Sequence, residues 1–311
     1  MENKNNEYFI FGKLYNIIEI EDIIYSKLYF TYRSNFPKLK NTYLTNDIGW
    51  GCTVRSGQML IGNTLLRKKF GLNWIYDKSI ISNEYHKIIY YFQDNYDGIY
   101  SIHNLTQFYK CIGHKPGDWI GPYSFCSILD KISLTFLENK IKYYNFIDGV
   151  FDYESIEKLD NTFSYFLTFP LRLGLNEINC EYYENILFIT KLNYFNGILG
   201  GNNKASYFFI GSNNDNLIYL DPHKVYKYNI ENSIENEFHT KDIFYLNISE
   251  LSPTFSISFY CENYTDFQNL IHQLNNLPDK KNQIISLNNT KIKDVHIKTI
   301  CEDDKEWELI D

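Results

Sequence analysis

Asp47-Ile-Gly-Trp-Gly-Cys-Thr-Val-Arg-Ser-Gly-Gln-Met-Leu60 is the stretch of the chain that decides the fold. Its turn-forming start ends at Cys52, and the apolar residues that follow have helical spacing, so a helix is predicted over residues 52–67. A helix N-terminus carries partial positive charge and free N–H groups, both of which favour a thiolate. Cys52 is therefore a candidate nucleophile. The spacing alone fits a buried cysteine at the start of an ordinary core helix equally well.

A second stretch, residues 207–223, predicts two strands followed by a histidine. Tyr207-Phe-Phe-Ile-Gly211 and Leu217-Ile-Tyr-Leu-Asp221 have the composition of strands, and the polar residues between them are typical of a turn. If the second strand continues to His223, the side chains of Asp221 and His223 leave the same face, and the carboxylate can orient the imidazole. Asp-Pro also opens many turns, and on its own a turn is the simpler interpretation of this pair.

The remaining hydrophobic pattern indicates a mixed fold. Helices are predicted at residues 82–92, 124–138 and 264–274, and extended segments at 163–173 and 256–261. No internal repeat of the length seen in solenoids or propellers is present. The combination predicts the α+β class, with helices gathered beside an antiparallel sheet.

Composition and charge exclude several classes of protein. Of the 311 residues, 18% are aromatic, and the formal net charge is -8, so a nucleic-acid partner, which needs clustered Lys and Arg, is excluded. The six cysteines have no CxxC or other metal-ligand spacing, so we expect no metal and no cofactor. The polar start lacks a secretory signal, and the apolar stretch 163–175 is too short to cross a bilayer. A soluble cytoplasmic protein with reduced thiols is predicted.

The stretch 47–60 and Ile218-Tyr-Leu-Asp-Pro-His223 resemble the two signatures of the autophagy cysteine proteases. The resemblance covers roughly residues 9–275 in the family's order. Further matching segments are Phe30-Thr-Tyr-Arg33, Tyr100-Ser-Ile-His103, Gly117-Asp-Trp-Ile-Gly-Pro122, Pro170-Leu-Arg-Leu-Gly-Leu175, Gly200-Gly201 and Tyr207-Phe-Phe-Ile-Gly211. The resemblance implies a papain-like fold with a small auxiliary subdomain. The order Cys, Asp, His differs from papain itself, in which an Asn follows the His.

The resemblance also implies an activity and a partner. Members of this family cleave the C-terminus of a ubiquitin-like autophagy modifier after a glycine, and they release the modifier from phosphatidylethanolamine. We therefore expect the precursor and the lipid-conjugated form of such a modifier as substrates, with membrane contact only through the substrate. Two alternatives remain open: a thiol hydrolase for another ubiquitin-like protein, and a catalytically silent protein that binds the modifier.

Carried over by position, the resemblance implies catalytic roles for four residues. Cys52 attacks the substrate, His223 accepts its proton, and Asp221 fixes the tautomer of the imidazole. Tyr32 matches the tyrosine that joins the main-chain N–H of Cys52 in stabilising the oxyanion, a contribution typically worth a few kcal/mol per donor. Without the family, Tyr32 would be interpreted as an aromatic residue of the core.

Substrate-binding residues are implied in the same way. Trp119 matches the tryptophan that roofs the cleft, and residues 197–206, with Gly200 and Gly201, match the loop that closes against it. A slot of this kind admits an extended tail that ends in glycine. An Asn at 202 or 203 replaces the proline that follows the double glycine in the family, which changes the expected stiffness of the loop.

Docking of the modifier outside the cleft is implied for two sites. Arg172 and Leu175 match residues that bind the globular body of the modifier, although Leu175 also suits a core position and Arg172 an ion pair with a local carboxylate. Near the end of the chain, Trp307 and Ile310 stand in a W-x-x-I arrangement behind acidic residues, which resembles the short motif that adds a strand to the modifier; the alternative is a tail whose Trp307 packs on its own domain. The predicted parts of the chain are an N-terminal arm (1–8), a papain-like catalytic domain with a small auxiliary subdomain (9–277) and a C-terminal tail (278–311).

Overall fold

The computed structural model describes residues 7–80, 82–153, 156–202, 204–228 and 237–287. Within these ranges the α-helices are α1 (Ile20–Tyr25), α2 (Cys52–Phe70), α3 (Asn83–Tyr90), α4 (Ile102–Leu105), α5 (Pro122–Lys131), α6 (Tyr183–Ile189) and α7 (Tyr264–Leu274). Short 3₁₀ helices lie at Thr106–Ile112, Ser133–Asn139, Ile147–Gly149, Cys180–Tyr182 and Ile248–Glu250. The strands are β1 (Tyr8–Ile10), β2 (Lys13–Tyr15), β3 (Tyr32–Ser34), β4 (Ile141–Asn145), β5 (Val150–Phe151), β6 (Ser164–Arg172), β7 (Phe195–Asn202), β8 (Ala205–Asn213), β9 (Asn216–Leu220), β10 (Val225–Lys227), β11 (Phe244–Asn247), β12 (Thr254–Cys261) and β13 (Ser286–Leu287).

Nine of these strands form one large sheet. Its main path runs β11-β9-β8-β7-β12-β6-β4, and β1 joins it by pairing with both β2 and the end of β8. Neighbouring strands are antiparallel, except that β4 and β6 are parallel. Two small parallel pairs, β3 with β10 and β5 with β13, lie outside the sheet. The predicted α+β class is confirmed.

Both faces of the large sheet are covered by apolar side chains. In β8, Phe208 and Ile210 pack in the cluster that contains the apolar residues of α2, whereas Phe209 packs in a second cluster with residues of α6 and α7. Successive side chains of a strand point to opposite faces, which explains this division. Helices therefore lie on both sides of the sheet, and the expectation of helices gathered beside it is too simple.

Helix α2 runs through the core. Residues 52–66 are all buried, so the helix has contacts on every side. Gly57 allows α5 to approach closely, because a Cβ at this position would lie 2.0 Å from the ring of Phe125. A helix packed in this way cannot shift without repacking its neighbours. Its first residue, Cys52, is therefore held in a fixed position relative to the sheet.

Most of the predicted elements are present with different ends. Helix α2 extends to Phe70, and the strands predicted on either side of the turn at 212–216 correspond to β8 and β9, although β9 ends at Leu220. The helix predicted over 124–138 divides into α5 and a 3₁₀ helix, because Ile132 between them has φ -95° and ψ 8°, outside the α-helical range. The helix predicted at 264–274 has the bounds of α7.

The chain beyond α7 continues to pack against the body of the protein. Ile284 and Ile285 are buried, and β13 pairs with β5. The sequence analysis assigned this stretch to the C-terminal tail, so packed structure reaches further along the chain than expected, to residue 287. Trp307 and Ile310 of the expected partner-binding motif lie outside the described residues.

Candidate active site

The turn that leads into α2 is held by Asp47. Its carboxylate accepts hydrogen bonds from the main-chain N–H of Arg33 at 2.7 Å and from Nε of Arg55 at 2.5 Å, and its carbonyl accepts one from the N–H of Gly51 at 2.9 Å. Glycine is required at position 51, because a Cβ there would lie 2.6 Å from the Cβ of Asp47. Cys52 follows as the first residue of the helix, so a buried, hydrogen-bonded turn places its thiol and its main-chain N–H.

Arg55 connects this turn to a second carboxylate. Its buried guanidinium lies 2.9 Å from Asp94 in addition to its contact with Asp47. Removing one member of such a buried network leaves an uncompensated charge, so the network fixes the start of α2 strongly. The sequence analysis missed this network, because only the tertiary fold brings the three side chains together.

Asp221 and His223 meet across a turn. Strand β9 ends at Leu220, and the Asp221 carboxylate then accepts hydrogen bonds from the main-chain N–H of His223 at 3.0 Å and from its Nδ1–H at 2.5 Å. An aspartate that accepts from the residue two positions further on forms an Asx turn. The strand therefore stops before both residues, and the turn, which was the other interpretation of the sequence, brings the carboxylate to the imidazole.

The imidazole of His223 hydrogen bonds to the thiol of Cys52. The indole Nε1–H of Trp119 donates to the same sulfur at 3.2 Å. Burial opposes a charge on either group, but the hydrogen bonds that the ring of His223 donates to Asp221 and Cys52 outweigh it and raise the pKa of His223 to about 9. In the same way, hydrogen bonds from His223 and Trp119 overcome burial and lower the pKa of the Cys52 thiol. The arrangement favours a thiolate beside an imidazolium, the reactive form of a cysteine nucleophile.

Ser206 supplies a further contact to the sulfur. Its main-chain N–H hydrogen bonds to the thiol of Cys52, and its carbonyl accepts a hydrogen bond from Oγ of Ser56 at 3.3 Å. These contacts join α2 to β8 next to the nucleophile. The sequence analysis included Ser206 only as the end of a loop, since a main-chain donor leaves no signal in the residue type.

Tyr32 lies against both members of the pair. Its ring packs edge-on to that of His223, with 5.4 Å between centroids, and its hydroxyl hydrogen bonds to the Cys52 thiol and to the main-chain N–H of Gly49. Burial and the neighbouring thiol hold the pKa of Tyr32 well above its usual value, so the phenol keeps its proton and can donate. The N–H of Tyr32 donates to the carbonyl of Pro222 at 2.9 Å, where β3 runs beside β10.

A groove of about 310 Å³ lies beside the thiol. Trp119, which is 40% exposed, and Ser206 line it, and both of them contact Cys52. The other lining residues are Gly121, Pro122, Gly200, Gly201, Lys204, Ala205, Ser252 and Thr254. Glycine residues therefore form part of the wall of the groove.

The expected loop at 197–206 is a tight β-hairpin. Strand β7 continues through Asn202, and β8 begins at Ala205. A Cβ on Gly201 would lie 1.8 Å from the carbonyl oxygen of Ala205, so the hairpin itself requires glycine at this position. Pairing along the hairpin, with Gly201 opposite Ser206, stiffens the wall of the groove without a proline.

Arg172 and Leu175 lie at the end of β6, on the surface. Leu175 is 81% exposed, which excludes the interpretation as a core residue. Nε of Arg172 donates to the carbonyl of Gly174 at 3.2 Å, and within the described part of the chain Arg172 forms no ion pair with a carboxylate. Both side chains are therefore available for a partner.

The described residues contain no group of three or more His, Cys, Asp and Glu side chains placed to hold a metal ion. Among the helices in the described ranges, none has the length and apolar character needed to cross a membrane.

Known proteins match the chain over most of its length. The profile of the peptidase C54 catalytic domain matches residues 17–273. The cysteine protease ATG4B of Xenopus laevis is 30% identical over 304 residues, which covers 86% of this chain and 79% of that protein. The cysteine protease ATG4A of Homo sapiens is 31% identical over 284 residues, which covers 79% of this chain and 71% of that protein. The chain has a papain-like fold and belongs to the peptidase C54 family of autophagy cysteine proteases.

Proposed function

We propose that the protein hydrolyses the bond after the C-terminal glycine of a ubiquitin-like autophagy modifier, both in the precursor and when that glycine is joined to phosphatidylethanolamine. The observation that carries this proposal is the groove of small volume beside Cys52, between Trp119 and the β7–β8 hairpin. Its volume of about 310 Å³ is small for a ligand site. A site of this size favours an extended tail without side chains over a bulky residue next to the scissile bond.

The first half of the reaction follows from the contacts of the sulfur. The Cys52 thiolate attacks the carbonyl carbon of the glycine, and the charge that develops on the carbonyl oxygen is stabilised by the main-chain N–H of Cys52 and the hydroxyl of Tyr32. Because Asp221 holds Nδ1 of His223, Nε2 is the nitrogen that remains for the sulfur and the leaving group. Nε2 protonates the departing amine as the C–N bond breaks, and a thioester remains.

Water completes the reaction. The now neutral His223 removes a proton from a water molecule that attacks the thioester, and the C–S bond breaks. Cys52 leaves as a thiolate, which the hydrogen bonds from Trp119 and from the N–H of Ser206 stabilise. The products are a modifier with a free glycine carboxylate and either the released peptide or phosphatidylethanolamine.

Specificity for the modifier requires contacts outside the groove. The exposed side chains of Arg172 and Leu175 offer a charge and an apolar surface of the kind that docks a folded partner. We assign the globular body of the modifier to this surface. Trp307 and Ile310, beyond the described residues, are assigned a second contact with the same modifier.

The cellular setting and domain limits belong to the same proposal. The described cysteines, at positions 52, 111, 126, 180 and 261, form no disulfide with one another, which suits a reducing compartment such as the cytosol. The catalytic domain is assigned to residues 9–277, flanked by a short arm and a tail whose first part, up to residue 287, packs against the domain. Contact with the membrane is assigned to the lipid-conjugated substrate rather than to the enzyme.

The test is cleavage of defined substrates by purified protein. Wild-type protein should remove the C-terminal extension of an unprocessed autophagy modifier and release the modifier from vesicles that contain its phosphatidylethanolamine conjugate, while Cys52→Ala should do neither. Full processing by Cys52→Ala would refute the assignment of the nucleophile. Cleavage of another ubiquitin-like precursor in preference would make the protein a hydrolase of that modifier, and binding without cleavage by the wild type would make it a silent binding protein.

A further inference from the structure

Lys27 is a buried cation without a counter-ion. It lies between α1 and β3 and is only 8% exposed. Within the described part of the chain, its ammonium group has neither an ion pair nor a hydrogen-bond acceptor. Its Nζ lies over the ring of Phe11, 5.6 Å from the ring centroid. Buried lysines are ordinarily paired with a carboxylate, because an unpaired buried charge is costly. A ligand that supplies negative charge would remove this cost.

A small cavity provides the place for such a ligand. Its volume is about 20 Å³, and its lining includes Lys27, Arg67 and Trp74. A cavity needs roughly 10–15 Å³ to hold one water molecule, so this one has room for a ligand of about that size. Trp74 lines the cavity as well, and its indole N–H has no hydrogen-bond acceptor among the described residues.

The charges around the cavity are positive. Arg67 and Lys13 are the charged groups that act on Lys27, and together with burial they lower its pKa to about 8. The guanidinium of Arg67 donates to two main-chain carbonyls, at 3.0 and 2.6 Å, and forms no ion pair with a described carboxylate. Glu262 and Asp266 act on Arg67 only from beyond ion-pair distance. The local excess of positive charge contrasts with the formal net charge of -8.

We propose that this cavity is a binding site for one small monovalent anion of halide size, held by the ammonium of Lys27 and the indole N–H of Trp74 in the field of Arg67. The space takes about one water-sized ligand, so we expect larger anions such as sulfate or a phosphate ester to bind more weakly. The anion joins α1 to the C-terminal end of α2 and to the start of β7. Residue 67 lies about 22 Å along α2 from Cys52, so the anion supports the fold without touching the reaction.

Halide should stabilise the protein if the anion binds at this place. A ligand that binds only the folded state stabilises it by RT ln(1 + [L]/Kd). We expect the midpoint of urea unfolding to rise with the logarithm of the halide concentration, above the Kd, as chloride or bromide replaces gluconate at constant ionic strength. Lys27→Met should abolish this rise. Lys69→Met should keep it, because Lys69 lies in the last turn of α2 with Arg67 but forms an exposed ion pair with Glu84 at 3.1 Å.

A second measurement observes the anion itself. The ³⁵Cl line of a chloride solution should broaden on addition of wild-type protein and of Lys69→Met, and bromide should reverse the broadening where sulfate does not. The same response with Lys27→Met, or no broadening with the wild type, would show that water fills the cavity and would overturn the proposal. If Lys27→Met does not fold, the wild type alone provides the test. Equal reversal of the ³⁵Cl broadening by sulfate and by bromide would refute the site.

Discussion

The carboxylate of Asp221 holds His223 by two hydrogen bonds, one from its main-chain N–H at 3.0 Å and one from its ring Nδ1–H at 2.5 Å. The main-chain bond closes the turn after β9, and the ring bond sets the tautomer of the imidazole. The two bonds share one oxygen of the carboxylate, so the turn and the catalytic base depend on the same group. Loss of this carboxylate oxygen therefore frees the imidazole of His223 and also removes the hydrogen bond that closes the turn.

Asp221→Asn should lower kcat strongly while the protein still folds. The amide keeps the shape of the side chain but no longer stabilises an imidazolium, and a change of this kind in a catalytic triad costs about 10²- to 10⁴-fold. The alkaline limb of the pH–rate profile should also move to lower pH, because the contact with Asp221 is what raises the pKa of His223. Single-turnover cleavage of the precursor measures both effects. Asp242→Asn, at an exposed position, is the matched control and should cleave at the wild-type rate.

The pH dependence of kcat/KM should be bell-shaped, with its alkaline limb near pH 9. Above this pH the imidazolium that protonates the leaving amine is lost, because the pKa of His223 is about 9. The acid limb reports the lowered pKa of Cys52. Trp119→Phe removes one hydrogen bond to the thiolate, so it should move the acid limb up and leave the alkaline limb in place. An alkaline limb below pH 7 would contradict the assignment.

The raised pKa of His223 also makes a prediction about stability. A group whose pKa is higher in the folded state stabilises that state fully below its unfolded value of 6.5, and this contribution is lost as pH rises through about 9. The lowered pKa of Cys52 acts on stability in the opposite sense over this range, so the thiol has to be removed to observe the effect. Relative to the double variant Cys52→Ala/His223→Ala, the single variant Cys52→Ala should lose stability as pH rises above 6.5, because Asp221 still raises the pKa of His223. Urea unfolding across the range measures the difference, and a difference that grows with pH would contradict the ion pair between His223 and Asp221.

Tyr32→Phe should lower kcat about 10²- to 10³-fold, which corresponds to about 2.7–4 kcal/mol of lost oxyanion stabilisation. The ring remains, and with it the edge-on contact to His223, so thermal unfolding should change little. Tyr109→Phe is the matched control, because the hydroxyl of Tyr109 is buried and has no hydrogen-bond partner within the described residues. Equal losses in the two variants would mean that Tyr32 acts only through packing.

Asp47→Asn should destabilise the protein by about 3–5 kcal/mol, because it leaves the buried guanidinium of Arg55 short of one countercharge. Urea unfolding monitored by tryptophan fluorescence measures the change. Glu84→Gln removes an exposed ion pair with Lys69 and should alter stability by about 0.5 kcal/mol or less. A similar small change in both variants would show that the buried network does not hold the turn before Cys52.

Leu175→Ala should raise KM for the folded modifier and leave kcat nearly unchanged. Truncating an exposed apolar docking residue costs about 1–2 kcal/mol, or roughly tenfold in affinity. Hydrolysis of a short peptide that ends at the same glycine should not change, since such a substrate does not reach β6. Leu134→Ala, at another exposed leucine, is the control for a general surface effect. A loss of kcat on the short peptide would place Leu175 in the groove instead.

Local patterns in the sequence were sufficient for the elements that carry the nucleophile and the base. Helix α2 and strands β8 and β9 were predictable because their apolar spacing is a property of consecutive residues. The sequence left open whether a strand or a turn joins Asp221 to His223, because the choice between them depends on one hydrogen bond from the N–H of His223. A pattern of residue types does not report such a bond.

Contacts between distant segments were not predictable. The approach of Asp47 to Arg55 and Asp94 depends on three parts of the chain that only the packed core brings together. The hydrogen bond from the N–H of Ser206 to Cys52 belongs to the backbone and would exist with many other residues at that position. The hairpin at the groove depends on how closely Gly201 approaches Ala205, which follows from strand pairing.

The indole of Trp119 lies on the sulfur of Cys52, and it has a consequence for chemical modification. Cys52 is only 2% exposed although its thiol is the activated one, whereas Cys180 is exposed. An alkylating reagent therefore has direct access to Cys180 as well, and the labelling stoichiometry of the whole protein does not report the reactive site alone. An inhibitor directed at Cys52 therefore needs a substituent of about the width of glycine that displaces the indole of Trp119, so that its electrophilic group can reach the sulfur.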